Sequence, residues 1–492
     1  MPTERYAHGP ELRAYANKIA EKYQLVDKAS LSTATRTATW DDLGNEWVVE
    51  LEMKGSPMTV RSQFVILAGG VLSMPKVPNL PGLQDFAGHT FHTSRWDYSC
   101  TGGSPTDPVM NRLKDKRVGI IGTGATAIQV VPELAKCAKE LYVFQRTPTS
   151  CDRRDNRRTD PTNWKTKIAT KKGWQRERME NFNAVVQGEP GVTTNFVDDG
   201  FSNMPSYKGL IGGPNNLFSP EQLPDYIASL QAVDMSRNLR IHSRVDSIVK
   251  DPAVAAKLKH YYSGWCKRPC FHDEYLQSFN RPNVHLIDTD GKGLSKLTSS
   301  GAVFGDKEFP LNVLIFSTGY ELSAAKGPAG GAGIKVLGRD GYSLDQKWID
   351  GIGTVHGVTT HSFPNLFLSA GRNIGATANY NFMIDQTSTH TAYIATEAAP
   401  MAKSEKFTIE PSKEAEEVYV KQIMKGALVF AAMAGCTPGY LNTEGRADHL
   451  SPDEQKKASR GAGWGQGAND YAKMIERWRA QGGLEGLEVK AY

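Results

Sequence analysis

One stretch restricts the fold of this chain more than any other. In residues 117–147 an apolar run, 118–121, leads into Gly122-Thr123-Gly124-Ala125-Thr126-Ala127, followed by an amphipathic segment and a second apolar run, 141–144. The order is strand, glycine turn, helix, strand: one βαβ unit. Gly122 permits a tight turn, Gly124 lets a pyrophosphate approach the backbone, and the small Ala127 lets the helix pack closely, its N-terminus facing the phosphates. A lone GxGxxA is weak, but this one stands between strand and helix, as a dinucleotide site requires. A purely structural glycine turn is the plainer alternative.

The end of the second strand selects the dinucleotide. An NAD site usually places Asp or Glu about 20 residues beyond the glycines to accept the ribose 2′-hydroxyl. Here the strand ends in Gln145-Arg146-Thr147, without an acid. Arginine suits a 2′-phosphate, so NADP(H) is favoured over a merely solvated strand-end arginine.

At 492 residues the chain is too long for one ordinary core. A charged fraction of 23% and a net charge of +5 suit a globular protein with an anionic cofactor and give no support for nucleic-acid binding. The six cysteines form no CxxC pair, so buried free thiols in a reducing, cytoplasmic setting are expected. No apolar run reaches the roughly 18 residues needed to span a bilayer.

Residues 10–25 place Leu12, Tyr15, Ile19 and Tyr23 at helical spacing, which predicts an amphipathic helix with one face on a core. Alternating stretches near 31–40, 47–51 and 58–61, separated by turn residues, predict a β-meander. The run 64–67 reads as a strand buried on both faces, ending in Ala68-Gly69-Gly70, a ligand position in an open α/β sheet. Prolines 75, 78 and 81 stiffen a linker, and residues 86–98 are dense in His, Trp and aromatics. Residues 153–172 are basic and read as a solvated face, with guidance of NADPH phosphates as the sharper alternative; 165–260 read as an inserted helical subdomain. Further strands are expected at 284–287, at 313–316 before Ser317-Thr318-Gly319, and at 365–368 before Ser369-Ala370-Gly371. Residues 327–333 read as a plain glycine-rich loop. Helices are expected near 382–398 and 471–481.

With these residues in place, the chain resembles the Baeyer-Villiger monooxygenases, flavoproteins with two dinucleotide-binding domains. The family signature FxGxxxHxxxW followed by Pro or Asp is met by Phe86, Gly88, His92, Trp96 and Asp97. Leu80-Pro81-Gly82-Leu83, Phe144-Gln145-Arg146-Thr147-Pro148, Lys267-Arg268-Pro269 and the segment 363–367 fall in family order. Cys436-Thr437-Pro438-Gly439-Tyr440-Leu441-Asn442 is similar to the branch acting on large-ring and polycyclic ketones.

The resemblance implies an α/β fold of two Rossmann-like domains with a helical insertion, binding FAD and NADP(H), and conversion of a bulky ketone and O2 into an ester or lactone in secondary metabolism. It implies an FAD-domain part at 1–105, an NADP-binding domain at 112–164 and 261–310, the insertion at 165–260, and a return to the FAD domain at 311–492. Arg268 would stand beside the flavin and stabilise the peroxide anion formed there. Lys267 and Arg146 would meet the 2′-phosphate. Ala68, Gly69, Thr318 and Gly319 would line the cofactors, and His92 and Trp96 would couple domain rotation to NADP binding. An N- or S-oxygenating flavin monooxygenase, or an NADP-binding remnant without turnover, are the rival expectations.

The sequence also departs from the family. Glu4-Arg5-Tyr6 aligns inside the FAD domain, so the resemblance places Met1 after the first strand, the flavin GxGxxG turn and the aspartate that partners the arginine. An incomplete gene model, a decayed remnant and completion by a partner chain are the three readings of this. Gly69 stands where Thr is usual, Glu321 where Asp is common, and Gly371-Arg372 where Gly-Pro is usual.

Overall fold

Residues 117–147 form the strand, turn, helix and strand that their pattern requires, and the rest of the site is built around them. The computed structural model describes residues 1–492 apart from 216, 322–327 and 370. Along the chain the elements that position the site are α1 (Gly9–Lys22), β1 (Thr33–Asp41), β2 (Glu46–Met53), β3 (Ser56–Ser62), β4 (Val65–Leu67), β5 (His89–His92), β6 (Arg117–Ile121), α2 (Ala127–Cys137), β7 (Glu140–Gln145), α3 (Leu223–Ile248), β8 (Val284–Asp288), β9 (Val313–Phe316), β10 (Lys335–Leu337), β11 (Leu366–Leu368) and α4 (Tyr380–Ala402).

The nucleotide sheet runs β8-β7-β6-β9-β5, every neighbouring pair parallel. Its three central strands carry the apolar runs 118–121, 141–144 and 313–316 because both faces are covered there. On one face Val118, Ile120, Val143 and Ile315 pack under α2 through Ala127, Val131 and Leu134, while on the other Phe144, Leu314 and Phe316 meet Phe86, Leu297 and Leu311. Two of these strands cross the expected boundaries. β5 lies within 1–105 and β9 within 311–492, yet both pair in the nucleotide sheet, β9 at its centre beside β6. Neither the apolar run of β9 nor the polar-aromatic His89-Thr90-Phe91-His92 of β5 indicates which sheet it will join.

The meander forms as expected: β1, β2 and β3 are antiparallel, and β10 adds to β1 in parallel. The regular elements within residues 165–260 are all helices among the described residues, with α3 the longest. Residues 328–331 form a short helix rather than a plain loop; position 327 of that expected loop and Ala370 lie outside the described residues.

Two expectations are corrected. β4 is not buried on both faces: it pairs with β11 alone, and Ile66 is exposed because no described element covers that side. The apolar stripe of α1 is likewise uncovered, with Leu12, Tyr15, Ile19 and Tyr23 all exposed. A third correction concerns the thiols. Cys266 and Cys436, 170 residues apart, form a disulfide with Cα atoms 5.3 Å apart, and Cys100, Cys137, Cys151 and Cys270 are free. Among the described residues no helix is long and apolar enough to cross a membrane.

Candidate active site

The glycine turn between β6 and α2 has the geometry of a phosphate cradle. Gly122 has φ +108°, and its N–H donates to the Phe144 carbonyl at 3.0 Å. A Cβ there would stand 2.4 Å from the Ser317 carbonyl oxygen, so the position demands glycine. The Thr123 hydroxyl donates to the Thr147 carbonyl at 2.8 Å and ties the turn to the end of β7. At Gly124 the situation reverses: a Cβ would meet nothing within 4 Å, so the backbone faces open space. Ala125 packs partly against the core, and Ala127, the first residue of α2, is fully buried. Thr126 at the N-cap gives no side-chain cap, and the first turn carries no acid. The positive end of α2 is therefore left for an anion.

Cations gather beyond the end of β7. Arg146 Nη2 donates to the Pro438 carbonyl at 3.1 Å and pairs with Glu444 Oε2 at 3.2 Å. Lys76, from the proline-stiffened linker, pairs with Glu444 Oε1 at 2.7 Å. Lys267 Nζ donates to Pro438 at 2.9 Å and faces the Tyr262 ring at 5.4 Å. Burial, and after it the charge of Arg146, pull the Lys267 ammonium down to about 8. Lys267, without an ion pair among the described residues and beside Arg146, favours an added anion, and this donor set fits NADP(H): an open backbone turn for the pyrophosphate and basic side chains for a 2′-phosphate.

Arg268 follows Lys267 but is exposed. It hydrogen-bonds the Tyr440 hydroxyl and lies near Tyr207, whose hydroxyl burial pushes up to about 12 against the arginine's opposing charge. Among the described residues it has no ion-pair partner. The disulfide from the preceding Cys266 to Cys436 fastens the Lys267-Arg268 loop to the segment that carries Tyr440 and Glu444.

The signature residues form a clasp at the edge of the same sheet. Phe86 is buried against Leu297 and Phe316, and a Cβ on Gly88 would meet the Phe86 ring at 2.4 Å. His92 ends β5 buried, its Nδ1 2.7 Å from the Ser94 hydroxyl and its ring edge-on to Tyr320 at 5.9 Å; burial lowers its pKa. Trp96 packs edge-on to Phe91 at 5.1 Å and donates to Thr101 at 3.1 Å. Asp97 caps the turn that follows, accepting from Ser99 N–H at 2.8 Å, and lies 2.7 Å from His89 Nε2. The Ser99 hydroxyl, with lesser help from His89, holds its carboxyl down at about 2.

The remaining expected cofactor residues fall in two places. Ala68 and Gly69 follow β4 and are exposed. Thr318 and Gly319 follow β9 and engage the linker: the Thr318 hydroxyl donates to the Lys76 carbonyl, and the Lys76 N–H donates to Gly319 O at 3.0 Å. Among the described residues no other Gly-x-Gly-x-x turn links a strand to a helix; glycine-containing segments follow β4, β9 and β11. A cavity of 860 Å³ lies elsewhere, lined by Arg5, Arg158, Trp164, Trp174 and Arg178, and contains none of the expected site residues.

Sequence reasoning missed Lys76, Glu444, Tyr207 and Tyr440 as neighbours of this site. The only signal was position: Lys76 between two linker prolines, and Glu444 two residues past the 436–442 stretch.

No family model matches the chain. Compared with known proteins, it is 45% identical to the polycyclic ketone monooxygenase of Thermothelomyces thermophilus over all of its own length and 77% of that enzyme's. It is 44% identical to the FAD-binding monooxygenase prhK of Penicillium brasilianum, over 99% of this chain and 77% of the relative. The solved structure of the Thermothelomyces enzyme superposes with a TM-score of 0.96, covering 100% of this chain and 78% of the other. An oxidised steroid monooxygenase bound to NADP, 21% identical, shares the fold with a TM-score of 0.74 over 99% of this chain and 86% of its own.

Proposed function

Because this chain belongs to the Baeyer-Villiger monooxygenases, we infer that it inserts one oxygen atom of O2 beside the carbonyl of a bulky, polycyclic ketone, with FAD and NADPH as cofactors. Ketone, O2, NADPH and a proton give ester or lactone, NADP⁺ and water. The observation that carries the reading is the 45% identity along the whole chain to an enzyme named for polycyclic ketones.

The chain's own residues support definite roles. The open backbone at Gly124 and the N-terminus of α2 receive the NADPH pyrophosphate, and Arg146 with Lys267 receives the 2′-phosphate. FAD, when bound, supplies the electron transfer from NADPH to O2. Arg268 holds a permanent positive charge, oriented by Tyr440 and neutralised by no described carboxylate, for the negative charge that develops at the oxygen and carbonyl centres. Held by Tyr440, the guanidinium needs less reorganisation as that charge grows than a free side chain would.

Arg268→Ala tests the assignment. Ester formation should fall by roughly 100-fold or more, while NADP⁺ affinity stays within about threefold, a change worth less than 1 kcal/mol. Wild-type rates of ester formation in the variant would remove Arg268 from the chemistry. Product analysis on a ketone against a thioether separates this activity from sulfur oxygenation.

A further inference from the structure

We propose that Glu444 is a built-in competitor of the cofactor's 2′-phosphate and thereby sets how strongly the enzyme distinguishes NADP(H) from NAD(H). The proposal rests on the reading of Arg146 as the 2′-phosphate contact.

Dinucleotide sites commonly decide between the two cofactors at the end of the second strand, where an acid serves a 2′-hydroxyl and an arginine serves a 2′-phosphate. The local sequence here offers only the arginine. The fold supplies an acid as well, from 298 residues further along: one Glu444 oxygen meets Arg146 at 3.2 Å and the other meets Lys76 at 2.7 Å. A carboxylate bridging two cations with its two oxygens makes the contacts that phosphate oxygens would make.

The chain maintains this placement in an unfavourable conformation. Thr443, Glu444 and Gly445 are left-handed in succession, at φ +55°, +57° and +85°, although the first is β-branched. The turn is anchored from within, since the Glu444 N–H donates to Gly439 O at 2.8 Å and the Asn442 side chain accepts from Gly439 N–H and Gly445 N–H at 2.9 and 3.1 Å. Its root is pinned by the Cys266–Cys436 disulfide and by Lys267 on the Pro438 carbonyl. Burial favours the neutral acid at Glu444, but Lys76 and Arg146 outweigh it and hold the carboxyl below its ordinary range. The group is therefore an anion when NADP(H) arrives.

A 2′-phosphate carries a charge near −2. It repels the carboxylate and claims the same donors, so Glu444 must give way for NADP(H). A 2′-hydroxyl imposes no such exchange and can donate to the carboxylate where it stands.

The test measures dissociation constants of NADP⁺ and NAD⁺ by titration calorimetry on the full chain, for wild type, Glu444→Gln, Arg146→Ala and the double variant, with thermal melting as the check on folding. Glu444→Gln should bind NADP⁺ roughly three- to tenfold more tightly and NAD⁺ no more tightly, and the gain should shrink when Arg146 is absent. Weaker or unchanged NADP⁺ binding in Glu444→Gln overturns the proposal, as does equal tightening of both cofactors, which would reflect only the general field. If Arg146→Ala alone still loses NADP⁺ selectively, the 2′-phosphate reading survives that failure. Equal losses of both cofactors in Arg146→Ala refute the two together.

Discussion

Replacing each glycine of the cradle by alanine should separate its two functions. At Gly122 the added methyl stands 2.4 Å from the Ser317 carbonyl oxygen, on a backbone with φ +108°. Ordinary contact begins near 3.4 Å, so the ends of β6 and β9 must part by roughly 1 Å. Backbone strain of about 1–3 kcal/mol and overpacking of about 1–3 kcal/mol add to about 2–6 kcal/mol. That is a large share of the roughly 5–15 kcal/mol that keeps a domain folded. At Gly124 the methyl meets nothing within 4 Å, and φ is not positive. The folded chain should accept it unchanged or up to about 1 kcal/mol more stable, through the smaller entropy of the unfolded chain. The space it fills is the proposed path of the pyrophosphate. Losing one charge-assisted backbone contact there should cost about 1.5–3 kcal/mol, or roughly 10- to 100-fold in NADP⁺ affinity. Thermal unfolding and NADP⁺ titration calorimetry on both variants give four numbers. Gly122→Ala should melt early; Gly124→Ala should melt like wild type and bind NADP⁺ poorly. A Gly124→Ala protein that binds NADP⁺ within twofold of wild type, or a Gly122→Ala protein of unaltered stability, would refute the reasoning.

Further outcomes follow from other parts of the structure. His356 Nδ1 and His390 Nε2 lie 3.0 Å apart in a box that includes Tyr419 and Trp478, and burial lowers them to about 4 and about 2. Both are neutral when folded, whereas the unfolded chain takes up protons below about 6.5. Stability is therefore full above that pH and falls as pH drops towards 4, by about 1.4 kcal/mol per pH unit for each histidine. Denaturant midpoints at pH 7 and 5 should show the fall, and His390→Gln should roughly halve the pair's share; a flat profile would contradict it. The Cys266–Cys436 bond closes a long loop, so Cys436→Ser should cost about 2–4 kcal/mol in chemical denaturation. Thiol titration of the denatured, unreduced chain should count four free cysteines; six would show that the bond does not form. Arg146→Ala should weaken NADPH at least tenfold more than NADH in steady-state KM, since only NADPH carries the 2′-phosphate; equal losses would remove that contact.

What the sequence revealed divides along the range of the interactions. The turn at Gly122–Ala127 was legible because its constraints are local: a strand, a positive φ, a close approach and a helix start all fall within ten residues. The meander was legible for the same reason. The strand at Val313–Phe316 was legible as a strand but not as the neighbour of β6, because register between distant apolar runs leaves no mark in either. Exposure of Ile66 and of the α1 stripe was misjudged because periodicity shows which face is apolar, not whether anything lies on it. The disulfide and the Glu444 bridge escaped notice because each joins residues at least 170 positions apart. Arg268 is singled out by the resemblance alone, since a Lys-Arg pair in a loop carries no signal of its own.

The fate of molecular oxygen decides whether this chain carries out Baeyer-Villiger oxygenation. The purified chain is incubated with FAD, NADPH, a polycyclic ketone and ¹⁸O2, and the product is analysed by mass spectrometry. An ester or lactone with one ¹⁸O atom, formed with one NADPH oxidised per product, is expected. NADPH oxidation that yields only hydrogen peroxide, or a ketone recovered unchanged while FAD is bound, would contradict it.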